Sequence, residues 1–298
     1  GEYMARQYTS RVQAKKYTEW HSRISESDML YTGDLTGRYP ELDLPTVPVV
    51  ENKFKNAIHD MSRLSAEARP LPVFMKKGDS DKESRKALVR ASIVDTIWEM
   101  GYGSEIEETL YMDVLGTGAM ACALYYNDDS DYTQFMRLDP RYCFPTFKGN
   151  RVNDLLYVET MDRKVAALMY PEMNITTEGK SRDNDVTIAT LYDKEVVAQA
   201  LLETSGGGKK VQAANKISTW VHELGCVPVA FVRLPTYDGA IRGLFDQLGG
   251  PMAIRNRVVS MLDEYLDSMV HASFESKNIL NDDVLPGPLT VYRHDPTA

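Results

Sequence analysis

Cysteine and histidine are scarce in this 298-residue sequence, and a long apolar run is absent from it. The three cysteines, Cys122, Cys143 and Cys226, lie far apart in apolar, strand-like contexts, which predicts a reduced intracellular protein with small buried thiols. The five histidines fall singly, so a zinc site is not expected. No apolar run approaches the roughly 18 residues of a membrane span, and the first residues carry no apolar signal core. We therefore expect neither secretion nor a membrane anchor.

The charge balance argues against a protein that binds nucleic acid tightly through its phosphates. Lysine and arginine number 34 against 43 acidic residues, which gives a formal net charge of −9. Proteins that grip nucleic acid by neutralising its phosphates normally carry a basic excess. Tight electrostatic binding of DNA by the whole chain is therefore not expected. The length permits one large domain or two of ordinary size.

Short stretches that look like catalytic or cofactor motifs lack the context that those motifs need. "GTGAM" (116–120) stands after a helical pattern and before a strand, the reverse of a dinucleotide-binding turn, and indicates a helix stop. "SGGGKK" (205–210) lacks the Ser or Thr of a phosphate loop and predicts a hairpin tip. "HDMSR" (59–63) puts His, Asp and Ser on one helix, where they do not converge. Paired acidic residues have solvated settings, at Glu107–Glu108, Asp128–Asp129 and Asp282–Asp283. We predict no catalysis, no metal and no cofactor, which favours a binding or structural role.

Hydrophobic periodicity predicts an α+β fold. An amphipathic helix ends at Pro70, and two more helices break at Gly101–Gly103, with Ser80–Glu83 and Ser104–Glu107 at capping-box spacing. From Met120 the pattern is that of strands, interrupted by one short helix. Helices, then mostly antiparallel strands, then a long helix argue against a doubly wound sheet.

The N-terminal residues predict a helix followed by an extended, proline-rich arm. We interpret the helix charges as a solvated face, and binding of an acidic partner is the alternative. The basic residues concerned are Arg6, Arg11, Lys15, Lys16 and Arg23.

The longest apolar-periodic segment lies in "RGLFDQLGGPMAIRNRVVSMLDEYLDSMV" (242–270). Gly249, Gly250 and Pro251 predict a hinge followed by a helix start. A helix from Pro251 to Lys277 would be about 40 Å long at about 1.5 Å per residue, and its broad apolar stripe needs a partner along that length. The residues expected on its polar side are Asn256, Ser260, Asp263, Asp267 and His271.

Several segments, in order, resemble the portal proteins of tailed bacteriophages, particularly those of phages that infect actinobacteria. They are "VPVVENKFKNAIHDMSRLSAEARPLPVF", "YMDVLGTGAMACALYY" followed by "MRLDPRYCFPTF", "PGPLTVYRHDP" and, as the strongest part, "HELGCVPVAFVRLPTYDGAIRGLFDQLGGPMAIRNRVVSMLDEYLDSMV". The resemblance covers about residues 45–298. A portal would normally continue through the rest of the clip, a second stem helix and the crown, which are not in this sequence.

The resemblance implies a ring subunit with four parts. These are an N-terminal helix and extended arm (1–44), an α+β wing domain (45–248), a hinge and long stem helix (249–281) and the start of a clip region (282–298). Gly249, Gly250 and Pro251 would form the hinge between wing and stem. The stem residues that would face adjacent helices of the ring are Leu262, Tyr265, Leu266 and Met269.

The same resemblance implies a structural virion protein at one capsid vertex. It would form a closed, dodecameric ring through which double-stranded DNA is packaged and ejected, and would bind the terminase large subunit, the head–tail connector and the major capsid protein. An acidic channel suits DNA that must slide. Two alternatives stay open: another head-associated virion protein without a channel, and a hydrolase with an unrecognised site.

Overall fold

The computed structural model describes residues 2–32, 53–69, 73–75, 81–127, 132–149, 151–175, 185–205, 210–270, 274–277 and 291–294. Its helices are α1 Glu2–Val12, α2 Lys15–Thr32, α3 Lys53–Glu67, α4 Asp81–Met100, α5 Gly103–Thr117, α6 Arg163–Met169 and α7 Leu244–Val270. Its strands are β1 Ala119–Asn127, β2 Tyr132–Leu138, β3 Cys143–Lys148, β4 Arg151–Asp162, β5 Asp185–Tyr192, β6 Val196–Ser205, β7 Lys210–Val221, β8 Val229–Arg233, β9 Phe274–Lys277 and β10 Val291–His294. The predicted extended arm, the tip of the "SGGGKK" hairpin and Ser80 lie outside the described residues.

The larger sheet is an antiparallel meander with strand order β3-β4-β5-β6-β7. Successive residues of a strand point to opposite faces. Ile188 of β5 therefore joins an apolar cluster with Ala166 of α6, while its neighbour Ala189 belongs to the main core. Both faces of the sheet are thus covered.

The smaller sheet has the order β2-β1-β8, and both of its pairings are antiparallel. Three alanines at period two, Ala119, Ala121 and Ala123, place the same face of β1 in the main core. Trp20 and Ile24 of α2 belong to that core, and the Trp20 ring meets Phe231 of β8 edge-on. The chain is therefore a mixture of helices and antiparallel sheets, as the predicted α+β class requires.

The N-terminal helices belong to the core rather than to a solvated face alone. Met4, Tyr17, Trp20 and Ile24 are all buried. The side chain of Arg6 is 82% exposed, as predicted, but that of Arg11 is only 8% exposed. The interpretation of Arg11 as part of a solvated face is wrong, because this buried guanidinium has a partly buried carboxylate as its partner.

That partner is Asp154 of β4, whose Oδ1 lies 2.5 Å from Arg11 Nη2. Arg11 Nη1 also donates a hydrogen bond to the Phe144 carbonyl at 3.1 Å. Burial raises the pKa of Asp154, but hydrogen bonds from Thr146 and Asn153 and the Arg11 guanidinium outweigh it and lower that pKa below its usual value. The interaction fixes α1 to strands β3 and β4 of the larger sheet.

Two other local predictions are wrong. The predicted capping box of Ser104 and Glu107 does not form, because α5 begins at Gly103 after Tyr102 in a left-handed conformation without a side-chain cap. Ser104 instead donates to Glu99 Oε2 at 2.9 Å. Among the cysteines, Cys143 is buried and Cys122 half-buried, but Cys226 is exposed.

The chain divides into two compact units. The first comprises Gly1–Ser27 and Asn56–Asp246, and contains the five-stranded sheet, the three-stranded sheet and the main core. The second comprises Asp28–Lys55 and Gln247–Ala298, and contains the parallel pair of β9 and β10. The predicted division at 44, 248 and 281 stays a prediction.

Replacing Arg11 by alanine should lower the free energy of unfolding of the first unit by about 1–3 kcal/mol, because the partly buried Asp154 carboxylate loses its counter-ion and keeps only neutral donors. Urea unfolding at pH 7 measures this. Arg6→Ala, in the exposed first turns of the same helix, is the control and should stay within about 0.5 kcal/mol of the unaltered protein.

The difference between Arg11→Ala and the unaltered protein should also depend on pH. The folded-state pKa of Asp154 is lowered, so its contribution is present above the ordinary aspartate pKa of about 3.9 and is lost as pH falls through the folded-state value. The two proteins should converge on acidification. Equal stability of the Arg11 and Arg6 variants at pH 7 would contradict the assignment.

Candidate functional site

The long helix α7 begins earlier than the sequence predicts. It starts at Leu244, and Gly243 donates its backbone N–H to Asp246 Oδ2 at 3.0 Å. This is one half of a capping box, in which a carboxylate in the first turn also complements the helix dipole. The predicted start at Pro251 is wrong, because Gly243 and Asp246 already cap the helix seven residues before that proline.

Glycines fix this helix start against the end of α5. Gly118 ends α5 with φ 88°, which confirms "GTGAM" as a helix stop, and donates its N–H to the Val114 carbonyl at 3.0 Å. A Cβ on Gly243 would lie 1.9 Å from the Gly116 carbonyl oxygen. A Cβ on Gly118 would lie 2.3 Å from the carbonyl carbon of Arg242. The two backbones thus approach so closely that a side chain at either position is excluded.

The residues predicted as a hinge lie inside α7. Gly249, Gly250 and Pro251 form part of its second turn, and the helix runs through them. A proline there cannot donate a backbone hydrogen bond to the preceding turn, which weakens the helix locally. A Cβ on Gly250 would meet no atom within 4 Å. Their role as a hinge stays a prediction.

The end of the predicted helix is also corrected. α7 ends at Val270 instead of Lys277, and Phe274–Lys277 is strand β9. This strand pairs in parallel with β10, Phe274 opposite Val291 and Lys277 opposite His294. Periodicity within the segment does not reveal a strand whose partner lies so much farther along the chain.

Two polar positions of α7 and its apolar stripe show the reverse of the expected burial, whereas Asp263 is exposed, as predicted. Asn256 and Ser260, expected on the solvated side, are both only 2% exposed. The apolar stripe points outward, with Leu262 at 54%, Tyr265 at 59% and Leu266 at 58% exposed. Ile254, Val258 and Met261 are exposed as well. Of the four predicted interface residues, the side chain of Met269 lies outside the described residues.

An exposed apolar stripe of this length is typical of surfaces that contact another molecule. We define the α7 face as Ile254, Val258, Met261, Leu262, Tyr265 and Leu266.

Helix α4 carries a second exposed apolar stripe, which is not among the residues predicted as a site. None of its twenty residues is buried. Val89, Ile93, Ile97 and Met100 follow the helical spacing of one stripe, and all are exposed. We define these four residues as the α4 face. The helical spacing of these apolar residues is visible in "ALVRASIVDTIWEM". Spacing alone, however, does not tell whether the chain itself covers the stripe.

The described residues also bear on metal sites, membrane spans and acidic pairs. These residues contain no group of three or more His, Cys, Asp and Glu side chains that could hold a metal ion. None of the described helices is both long and apolar enough to cross a membrane. The solvated setting expected for the acidic pair Glu107–Glu108 is wrong for Glu107, which is buried, and this burial raises its pKa. The pairs Asp128–Asp129 and Asp282–Asp283 lie outside the described residues.

Comparison with known proteins gives no relative: no protein-family model matches the chain, and no curated protein matches it.

Two alanine substitutions at glycines of this segment should have opposite effects. Gly243→Ala should lower the free energy of unfolding of the first unit by about 1–3 kcal/mol or more, because the added Cβ would overlap the Gly116 carbonyl. Gly250→Ala meets open space and should stabilise the helix by roughly 0.5–1 kcal/mol, because alanine loses less backbone entropy. Thermal melting and urea unfolding of both variants provide the comparison. A destabilising Gly250→Ala would instead indicate that this residue needs the freedom of a hinge.

Proposed function

We propose that the chain is a portal subunit, a non-enzymatic structural protein that forms a closed ring at one vertex of a phage capsid. The resemblance of several ordered segments suggests this family. The structural observation that carries the proposal is the inverted polarity of α7, whose apolar face is exposed while Asn256 and Ser260 are buried. A subunit of a ring needs such a surface for its neighbour.

In this proposal the first unit forms most of the wing, and α7 enters the stem. Double-stranded DNA would pass through the channel without sequence-specific contacts, which agrees with the net charge of −9. The terminase large subunit, the head–tail connector and the major capsid protein would bind the ring in the virion. No cofactor or metal is part of the proposal.

Experiments on the purified protein distinguish this proposal from its alternatives. A portal gives large closed rings without other phage proteins, which native mass spectrometry and negative-stain microscopy detect. A head-associated protein of another kind would not form a channel. The hydrolase alternative predicts activity in a screen of hydrolase and nuclease substrates, and ATP hydrolysis by the isolated protein would contradict a motor-free portal.

Leu266→Asp should abolish ring formation and leave the monomer folded. Leu266 is exposed in the single chain, so a charge there costs little until a neighbour buries it. An unpaired buried charge costs about 3–5 kcal/mol, and a ring repeats this penalty at every interface. Native mass spectrometry measures assembly, and near-UV dichroism and thermal melting measure the fold.

The matched control is Leu168→Asp on α6, where the leucine is 84% exposed and lies outside the α7 face. It introduces the same charge and should still form rings. A Leu266→Asp protein that forms rings, or one that unfolds as a monomer, would show that Leu266 is not in a subunit interface.

The ring should bind DNA weakly, without sequence preference and with strong salt dependence, because contacts would go to phosphates rather than to base edges. Fluorescence anisotropy with two duplexes of unrelated sequence, between about 50 mM and about 200 mM salt, measures all three properties. The non-assembling Leu266→Asp protein shows how much binding needs the ring. A footprint confined to one defined sequence would contradict the expectation.

A further inference from the structure

The hairpin of β3 and β4 extends beyond the neighbouring strand of the larger sheet. Strand β4 pairs with β5 only from Leu155 onward, where Leu155 lies opposite Tyr192, whereas β3 and β4 remain paired as far as Lys148 and Arg151. The segment from Arg151 to Leu155 spans about 13 Å at about 3.3 Å per residue. We define the β3–β4 tip as Lys148, Gly149 and Arg151, which are all exposed. The tip therefore projects past the level at which β5 ends.

Two positive charges face each other at this tip. Lys148 and Arg151 are directly opposed in the antiparallel register of β3 and β4. The Cβ atoms of such a pair lie about 4.5–5.5 Å apart, and like charges at that distance disfavour the pairing. Neither residue has an acidic partner among the residues that the structure describes, and the next carboxylate along β4, Asp154, is already bound by Arg11. An anion bound at the tip would remove this repulsion.

A third positive charge lies beside the base of the tip. The guanidinium carbon of Arg233 on β8 lies 4.7 Å from the centroid of the Phe147 ring, next to Lys148 in the chain. Arg233 Nη1 donates to the Gly239 carbonyl at 3.3 Å, which uses one of the five N–H groups of the guanidinium. The adjacent Asp238 carboxylate is bound by Arg242 at 2.6 Å. Because Phe147 and Lys148 point to opposite faces of β3, the cations flank the hairpin on both faces.

The next turn at the same edge of the sheet has the opposite charge. Strands β3 and β5 are both antiparallel to β4, so the turns that follow them lie at one edge. The turn between β5 and β6 consists of Asp193, Lys194 and Glu195, in which one cation stands between two carboxylates. The whole chain carries a formal net charge of −9. The positive charge at this edge is thus confined to the β3–β4 tip and its surroundings.

We propose that the β3–β4 tip binds phosphate groups of nucleic acid through Lys148 and Arg151, with Arg233 as a further contact. Phosphate oxygens accept hydrogen bonds from both types of cation, and arginine can bind them with two parallel N–H groups. A projecting two-stranded hairpin can reach the backbone of a duplex without reading its bases. The inference rests on the proposed function, which brings double-stranded DNA to the ring, and it names residues that touch this DNA.

The salt dependence of DNA binding tests the assignment. Fluorescence anisotropy with the full-length protein and a duplex, between about 50 mM and about 200 mM salt, gives the slope of log K against log salt concentration. Each phosphate contact contributes about 0.9 to the size of this slope. The protein with both Lys148→Gln and Arg151→Gln should therefore lose about 2 from the slope. It should bind at least about tenfold more weakly at about 50 mM salt, equally for two duplexes of unrelated sequence.

The matched control is Lys194→Gln, which removes one exposed cation from the neighbouring turn. It should leave both the slope and the affinity unchanged. The charge-conserving protein with Lys148→Arg and Arg151→Lys should bind DNA within about twofold of the unaltered protein, because phosphate contacts depend chiefly on charge.

Thermal melting without DNA separates binding from a structural role. Lys148→Gln and Arg151→Gln should each leave the melting temperature unchanged or raise it, because each removes the repulsion between the opposed cations. A clear fall in melting temperature for either single change would show that these residues serve the fold, and it would overturn the inference.

Competing anions identify the source of the phosphate. Poly-L-glutamate and inorganic phosphate are added to the protein with bound duplex, with sulfate at the same ionic strength as the reference. The duplex should remain bound beyond the effect of sulfate. Displacement by poly-L-glutamate at equal charge concentration overturns the assignment to nucleic acid in favour of an acidic protein segment. Displacement by millimolar inorganic phosphate beyond the sulfate effect assigns the tip to free phosphate and likewise overturns it.

The outcomes for the inference and for the proposed function are distinguishable. Rings that bind DNA with the same slope in the unaltered and the doubly altered protein overturn the inference and leave the proposed function standing. A chain that forms no rings contradicts the proposed function, and the slopes of the two proteins still decide whether the tip binds phosphates. An unaltered chain that binds no duplex at about 50 mM salt overturns the inference.

Discussion

The close approach of two backbones, at the end of α5 and the start of α7, is the constraint on which the candidate surface depends. Gly118 adopts a conformation that L-residues rarely take, and Gly243 lies where its Cβ would overlap the Gly116 carbonyl. Phe245, in the first turn of α7, is buried next to Gly116. The start of α7 is therefore fixed within the first unit by backbone contact alone.

The N-terminal helices show how a charged residue can be structural. Arg11 is nearly buried because Asp154, the Phe144 carbonyl and the Gln7 side chain provide acceptors for its guanidinium. Breaking such a pair is costly because a carboxylate would remain in a poorly solvated position. The sequence cannot show this, since Arg6 and Arg11 have similar neighbours in the chain and differ only in what the fold places beside them. Most of the strands and helices, by contrast, follow from periodicity, because two-residue and 3.6-residue repeats are local properties.

The start of α7 and the burial of its polar residues could not be predicted from the sequence either. Both depend on what the fold places beside the helix. Proline and paired glycines normally mark a boundary, yet here Gly243 and Asp246 cap the helix before Gly249–Pro251 is reached. Which side of an amphipathic helix is buried depends on the elements around it. Asn256 and Ser260 are polar and buried, so the rule that polar residues face solvent assigns them to the wrong side. The resemblance to portal proteins predicts that the apolar stripe contacts a neighbouring subunit, which periodicity alone does not predict.

The apolar area of the α7 face limits how firmly one contact of the proposed ring could hold two subunits. Each of the six α7 side chains still has about half of its surface to bury, which corresponds to roughly 1 kcal/mol per residue and about 6 kcal/mol for the face. Association in solution costs about 4–15 kcal/mol of translational and rotational freedom, so one such contact holds two subunits weakly. Closing a ring adds a final interface between subunits that are already connected, and that interface does not bear the association cost again. Every subunit is then held on two sides, and the loss of one contact no longer releases it. A ring of the proposed kind would therefore resist the loss of single contacts, and a folded monomer with an exposed apolar stripe is consistent with it.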